Sequence, residues 1–303
     1  MLTTPFHTEL AVPVAGGALT VGVAGPGAPG AAPVVLGLHG TTGSHRALAA
    51  VARHLAARNI TSLVPDLRGR GASAGLPGPY GLDTHVADLV AVLDHWGVER
   101  AVLAGHSLGA WVAARAAAAH PERSAGVVLV DGGLSQRLSS GIDPDAVVDS
   151  VLGPALARLR MTFASRQDYR DFWHRHPCFT SYWNADIADF VDYDLIGPPG
   201  LLRSRVVEAA VRVDGRDVLD ATAAWAALAT VAPPVILLRA PRGFADKPNP
   251  LIPETLVGQA RRIVPKMGEL LIGDTNHYQI VFGDREAAAV AGEIARVTTA
   301  GAA

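Results

Sequence analysis

Gly105-His106-Ser107-Leu108-Gly109 is the stretch of this chain whose residue types and spacing most directly suggest chemistry. A serine wedged between a strand and a helix must take a strained backbone conformation. Side chains two positions before and two after it would collide, and glycine at both places removes the collision. The apolar run Ala101–Ala104 leads in and an Ala-rich stretch leads out, so the spacing predicts a strand–turn–helix. That turn pushes the Ser107 hydroxyl to the carboxyl edge of a sheet. It also sets the Leu108 N–H, at the helix N-terminus, where a developing oxyanion would form.

A nucleophilic serine needs a base, because its hydroxyl is almost wholly protonated near neutral pH. Among 11 histidines, His277 is the candidate. It stands just past the last strand-like run, where a loop can return over the nucleophile, and it follows Ser107 in chain order. A carboxylate must then orient the imidazole and stabilise its protonated form. His174 and His176 would diverge on a helix, and no carboxylate–histidine ligand pattern surrounds them, so no metal is expected.

The elements that must position these groups follow a regular order. Thr8–Val14 and Ala18–Val23 read as an opening β-hairpin turned by Gly16-Gly17. Short apolar runs at Pro33–His39, Ile60–Pro65, Arg100–Gly105 and Gly126–Asp131 then alternate with helical stretches at Ser44–Arg58, Leu82–Trp96 and Leu108–His120. This alternation implies a mostly parallel sheet covered by helices on both faces. The pattern stops after Gly133. It resumes with a strand at Pro234–Ala240, entered through a Pro-Pro turn, a helix at Pro253–Ile263, a strand at Glu269–Gly273 and a helix at Asp284–Val297. The reading divides the chain into a core, residues 1–133 and 231–303, and an insertion, residues 134–230, without strand character. That insertion holds 10 of the 17 aromatics, nine of them between Phe163 and Tyr193, which suggests a helical lid over an apolar pocket. Phe179, Tyr182, Trp183 and the nearby His106 are the pocket candidates.

With these segments in place the chain resembles the α/β-hydrolase superfamily, specifically its lid-bearing serine esterase and lactonase-like members. Leu38-His39-Gly40-Thr41 matches the strand end that supplies the second oxyanion donor, which by position would be the Thr41 N–H. Asp66-Leu67-Arg68-Gly69-Arg70-Gly71-Ala72-Ser73 looks like the family's buttressing D-x-R-G-x-G-x-S loop, and Asp274-Thr275-Asn276-His277 looks like its histidine loop. The resemblance implies an eight-stranded α/β-hydrolase sheet with an inserted cap, and structural roles for His39 and His106. It offers two places for the acid. The commoner one follows the strand Val235–Arg239, where Asp246 comes several residues late. The other, used by a minority including some lactonases, ends the preceding strand, where Asp131 stands; Asp131 is preferred.

The implied activity is hydrolysis of a carboxylic ester or lactone of a hydrophobic substrate through an acyl-enzyme on Ser107, with no cofactor. Carbon–carbon bond hydrolysis of a diketone by the same triad, and mere binding of a small hydrophobic ligand, are the alternatives. Serine at the nucleophile position argues against the dehalogenase and epoxide hydrolase chemistries of this fold, which use aspartate there.

Composition excludes other classes. At 49% hydrophobic and 18% charged residues the chain has a sizeable core and is not disordered. A net charge of −2 without basic or acidic blocks offers nothing to nucleic acid. No stretch of about 18 apolar residues suggests a membrane span, and Met1–Leu10 lacks signal-peptide character. The single cysteine, Cys178, rules out an intrachain disulfide, so a cytoplasmic location is the default expectation. Gly25-Pro26-Gly27-Ala28-Pro29-Gly30 fits G-x-G-x-x-G literally, but it precedes a strand and its prolines remove amides that a pyrophosphate needs.

Overall fold

The structure, a computed structural model, describes residues 4–27, 33–232 and 234–300. Part of the Gly25–Gly30 loop and Pro233 of the Pro-Pro turn lie outside the described residues. The strands of the main sheet are β1 (Thr8–Val14), β2 (Gly17–Ala24), β3 (Val34–Leu38), β4 (Thr61–Pro65), β5 (Ala101–His106) and β6 (Ser124–Val130). A two-residue pair, β7 (Leu195–Ile196) and β8 (Arg203–Ser204), stands apart, and β9 (Val235–Arg239) and β10 (Gly268–Leu271) complete the sheet. The eight strands lie in the order β1-β2-β4-β3-β5-β6-β9-β10. Pairings of β2 with β1 and β4 are antiparallel, and all the others in this sheet are parallel.

Strands β3, β4, β5 and β9 are buried at every residue. Their mostly apolar sequences follow from having both faces covered. One face packs against α2 (Leu82–Trp96) and α3 (Leu108–Ala119), with Leu89 and Val112 in the core. The other packs against α1 (Ala49–Ala56) and, near the C-terminus, α11 (Asp284–Ala300), through Val51 and Val290. Leu36, Leu38 and Leu63 have no exposed surface, and burial stabilises each by roughly 2 kcal/mol. Helix α2 has the expected bounds because Val86, Leu89, Val92, Leu93 and Trp96 repeat at helical spacing and Gly97, at φ 70°, ends it. The stretch expected as one helix from Ser44 begins instead as a 3₁₀ turn at His45–Leu48. There the His45 N–H donates to Asp66 Oδ1 at 2.7 Å, pinning that turn to the sheet edge.

Between β6 and β9 run α4 (Pro144–Leu159), α5 (Arg166–His174), α6 (Ala185–Tyr193), the β7–β8 pair, α7 (Glu208–Leu219) and α8 (Ala221–Thr230). The insertion thus contains one short antiparallel pair that its sequence did not suggest; two residues per strand are too few for alternation to register. Helices α4 and α7, with Val206 just before α7, form a small core of Val148, Leu156, Val206 and Val211, while the aromatics of α5 and α6 join the core beneath α1 and α11. Helices α9 (Glu254–Ile263) and α10 (Gln279–Phe282) flank β10 in sequence. No described helix is long and apolar enough to cross a membrane.

Candidate active site

Ser107 joins β5 to α3 at φ 53°, ψ −124°, a conformation that costs a side-chain-bearing residue strain. A methyl group on Gly105 would overlap the Gly109 carbonyl, which is the expected collision. One on Gly109 would overlap the Leu38 carbonyl, so the second glycine is required by the neighbouring strand β3 and not by residue 105. The Ser107 N–H donates to Val130 O at 3.0 Å, tying the turn to the end of β6.

Asp131 follows β6 directly, at φ 45° and with no exposed surface. Its N–H donates to Leu238 O at 2.7 Å, and its Oδ1 accepts from the Ala240 N–H at 3.1 Å. These two bonds to the β9 chain aim Oδ2 at His277, whose Nδ1 donates to it at 2.7 Å. His277 Nε2 makes no hydrogen bond to a described residue, and His277 and Ser107 line one cavity. His106 Nε2 donates to the His277 carbonyl at 2.8 Å, and burial, with the charge of His277, pulls the His106 imidazole well below its ordinary pKa. His106 is thereby a neutral strut under the histidine loop.

Asp246 lies elsewhere. Its Oδ1 accepts from Arg242 Nε at 2.6 Å and from Asn276 Nδ2 at 3.1 Å, and it makes no hydrogen bond to His277. Burial tends to raise its carboxyl, but the Arg242 and Asn276 hydrogen bonds and the Arg242 charge outweigh it, leaving the group below the usual carboxylate range.

Thr41 and Leu108 both face the cavity at Ser107. Neither N–H donates to another described residue; that of Leu108 is free because it opens α3. The Asp66–Ser73 loop supports this wall through contacts that the motif alone did not specify. Arg70 Nε donates to Thr41 O at 2.9 Å, and the Arg70 guanidinium pairs with Asp214 of α7 at 2.6 Å. Asp66 receives Tyr193 Oη at 2.7 Å and His45 Nδ1 at 2.9 Å. His39 accepts the Leu67 N–H on Nε2 at 3.0 Å, so its Nδ1 carries the proton and donates to Gly40 O at 2.8 Å.

Ser107 stands at the junction of two cavities of about 440 and 400 Å³. Both touch Thr41, Val151, Leu152 and Phe244, and only the smaller touches His277 and His106. The pocket expectation therefore needs correction: Phe179, Tyr182 and Trp183 line neither cavity. Phe179 packs between Trp173, Tyr278 and Phe282, Tyr182 Oη donates to Phe282 O at 3.2 Å, and Trp183 stacks on His174 at 3.7 Å. Phe179 and Tyr182 thereby tie the insertion to Tyr278 and Phe282 of the core, while Trp183 stacks within the insertion. The wall common to both cavities includes Val151 and Leu152 of α4 and Phe244, whose ring centre lies 4.4 Å from that of His277, and of the insertion's aromatics only Phe190 lines a cavity, the smaller one. Helix α4 carries no aromatic residue, so a search for aromatics passes over it. Among the described residues no three His, Cys, Asp or Glu side chains cluster as a metal site.

Comparison with known proteins bears on the fold. Residues 33–166 match the family model of the α/β-hydrolase fold. Lipase LipV of Mycobacterium tuberculosis is 36% identical over 127 residues, 41% of this chain and 48% of that protein. The chain thus aligns with half or less of the curated relatives it resembles. The thioesterase domain of the curacin biosynthetic pathway superposes with a TM-score of 0.75 at 19% identity, over 95% of this chain and 99% of that one. E-2-(acetamidomethylene)succinate hydrolase superposes with 0.74 at 20% identity and the same coverage. At such identities the superpositions speak for the fold.

Proposed function

We propose that this chain, whose residues 33–166 match the family model of the α/β-hydrolase fold, is a member of that superfamily and hydrolyses a carboxylic ester or lactone of an apolar substrate. The observation that carries this reading is the 2.7 Å bond from His277 Nδ1 to the buried Asp131 carboxylate, with His277 and Ser107 lining one cavity. Ser107 Oγ attacks the carbonyl carbon while His277 Nε2 takes its proton. Asp131 holds the imidazole in that tautomer and stabilises the imidazolium. The free N–H groups of Thr41 and Leu108 receive the oxyanion. His277 then gives the proton to the departing oxygen, and water, deprotonated by the same ring, releases the acyl group. The helical insertion, residues 134–230, acts as the lid, since α4 roofs both cavities.

Turnover of activated aryl esters by the wild type and its loss in Ser107→Ala test the reading. Labelling of Ser107 by a serine-directed phosphonate gives an independent check. If neither turnover nor labelling occurs, the cavity only binds a ligand. A substrate screen across macrolactones, small lactones, aryl esters and diketones separates ester from carbon–carbon cleavage.

A further inference from the structure

We propose that the acyl half of the substrate occupies the larger cavity and ends in a carboxylate that Arg137 reads. The inference rests on the hydrolase reading above. In the first half-reaction the acyl carbon bonds to Ser107 Oγ, the bond to the leaving oxygen breaks, and His277 protonates that oxygen. The leaving group must therefore lie on the His277 side of Ser107, which is the smaller cavity. The larger cavity meets Ser107 and Leu108 but not His277, and this leaves it to the acyl group.

The walls of the acyl cavity are apolar, with Trp111, Leu134, Val148, Leu152, Val218 and Leu219 among them. Polar side chains gather in one segment, Ser135 to Ser139. The Ser135 hydroxyl is already committed, accepting from Trp111 Nε1 at 2.7 Å and donating to Val218 O at 2.6 Å. Arg137 is different. Among the described residues it is the one acidic or basic residue lining either cavity, leaving aside the histidines; it is exposed to solvent, and no described carboxylate or carbonyl holds it. The arginines behind the site are all committed: Arg70 to Asp214, Arg158 to Asp194 and Arg242 to Asp246. An apolar trough that starts at the nucleophile and carries a single unpaired guanidinium suits a chain with an anionic tip, because the planar fork of donors matches a carboxylate. The substrate class is thus the monoester of an apolar dicarboxylic acid, and the products are the free diacid and the alcohol.

The test compares p-nitrophenyl esters of straight-chain monocarboxylic acids with those of dicarboxylic acids of matched length. At low ionic strength the wild type should favour the carboxylated ester by about three- to fivefold in kcat/KM, the size expected of an exposed pair. That ratio should fall to about one in Arg137→Gln, invert in Arg137→Glu, and fade at high salt. Arg203→Gln, exposed on β8 and lining neither cavity, should keep the wild-type ratio. A wild-type preference for the uncharged ester, or a ratio indifferent to Arg137→Gln, overturns the assignment. Calorimetry on Ser107→Ala separates this from failure of the hydrolase reading: suberate should bind more tightly than octanoate, and Arg137→Gln should erase the difference. If no ester is turned over, hydrolysis is refuted while the binding ratio still decides the role of Arg137; equal binding of the two acids overturns it.

Discussion

The Asp246 carboxylate is hydrogen-bonded to the Asn276 side chain at 3.1 Å, and Asn276 immediately precedes His277. Asn276 Oδ1 in turn accepts the Tyr278 and Gln279 N–H groups, at 3.0 and 2.8 Å, where α10 begins. The carboxylate that stands nearer the commoner position for a triad acid therefore supports the backbone on which His277 is mounted, while Asp131 meets the imidazole.

Two asparagine substitutions should then behave differently. Asp131→Asn should lower kcat by about 10³- to 10⁴-fold, because the amide no longer favours the tautomer or stabilises the imidazolium. Asp246→Asn should cost about tenfold or less, and exchanging the pair, Asp246→Asn with Asn276→Asp, should restore most of it by reversing the hydrogen bond. Single-turnover rates on one activated ester decide the matter. Equal losses in the two single variants would remove Asp131 from its assigned place.

The strain at Ser107 yields a prediction about stability. Glycine tolerates φ 53°, ψ −124° without penalty, so Ser107→Gly should raise unfolding free energy by about 1 kcal/mol while abolishing turnover. Ser107→Ala keeps the strain and should not show this gain. Denaturant melts of the two inactive variants make the comparison; identical midpoints would mean the turn stores no strain.

Stability in acid should depend on His39. Burial pulls its imidazole down to about 4 from 6.5, so the folded chain keeps it neutral while the unfolded chain takes up a proton. Its folded-state advantage is present above 6.5 and is lost as pH falls towards 4, amounting to about 2 kcal/mol between pH 7 and 5. His106, lowered for the same reason, adds in the same direction. His45 works oppositely. Burial opposes its charge, but Asp66 and Glu9 outweigh it and raise the pKa, so its contribution is complete below 6.5 and is lost as pH rises through the folded value. Urea titrations at pH 7 and 5 should show a smaller acid loss in His39→Gln. Equal losses in variant and wild type would contradict the assignment.

The two cavities should be separable by bulk. Val147→Phe narrows the larger and Ala155→Phe the smaller. The first should penalise long acyl groups and the second bulky alcohols, each by about tenfold in kcat/KM. Tyr182→Phe should alter neither preference, since its ring lies outside both cavities. Specificity profiles over paired ester series measure this, and a shared profile for the two cavity variants would refute the partition.

The amino-acid sequence by itself determined the order of core strands and helices along the chain, the strained turn at Ser107 and the position of the histidine loop. Each is local: buried strands read as short apolar runs, and a sharp turn excludes side chains within a few residues of its centre. The histidine contact is not local. Asp131 and His277 are 146 residues apart, and their meeting depends on β6 lying beside β9, so that backbone bonds to Leu238 and Ala240 aim the carboxylate. The cavity walls were hidden for a related reason. Aromatic content marked the insertion as apolar, but which apolar face meets Ser107 is set by how α4 and α5 pack. Only the tertiary structure decided that the rings of Phe179, Tyr182 and Trp183 lie away from the cavities while the aliphatic side chains of α4 line them, because packing between distant segments carries no signature within either one.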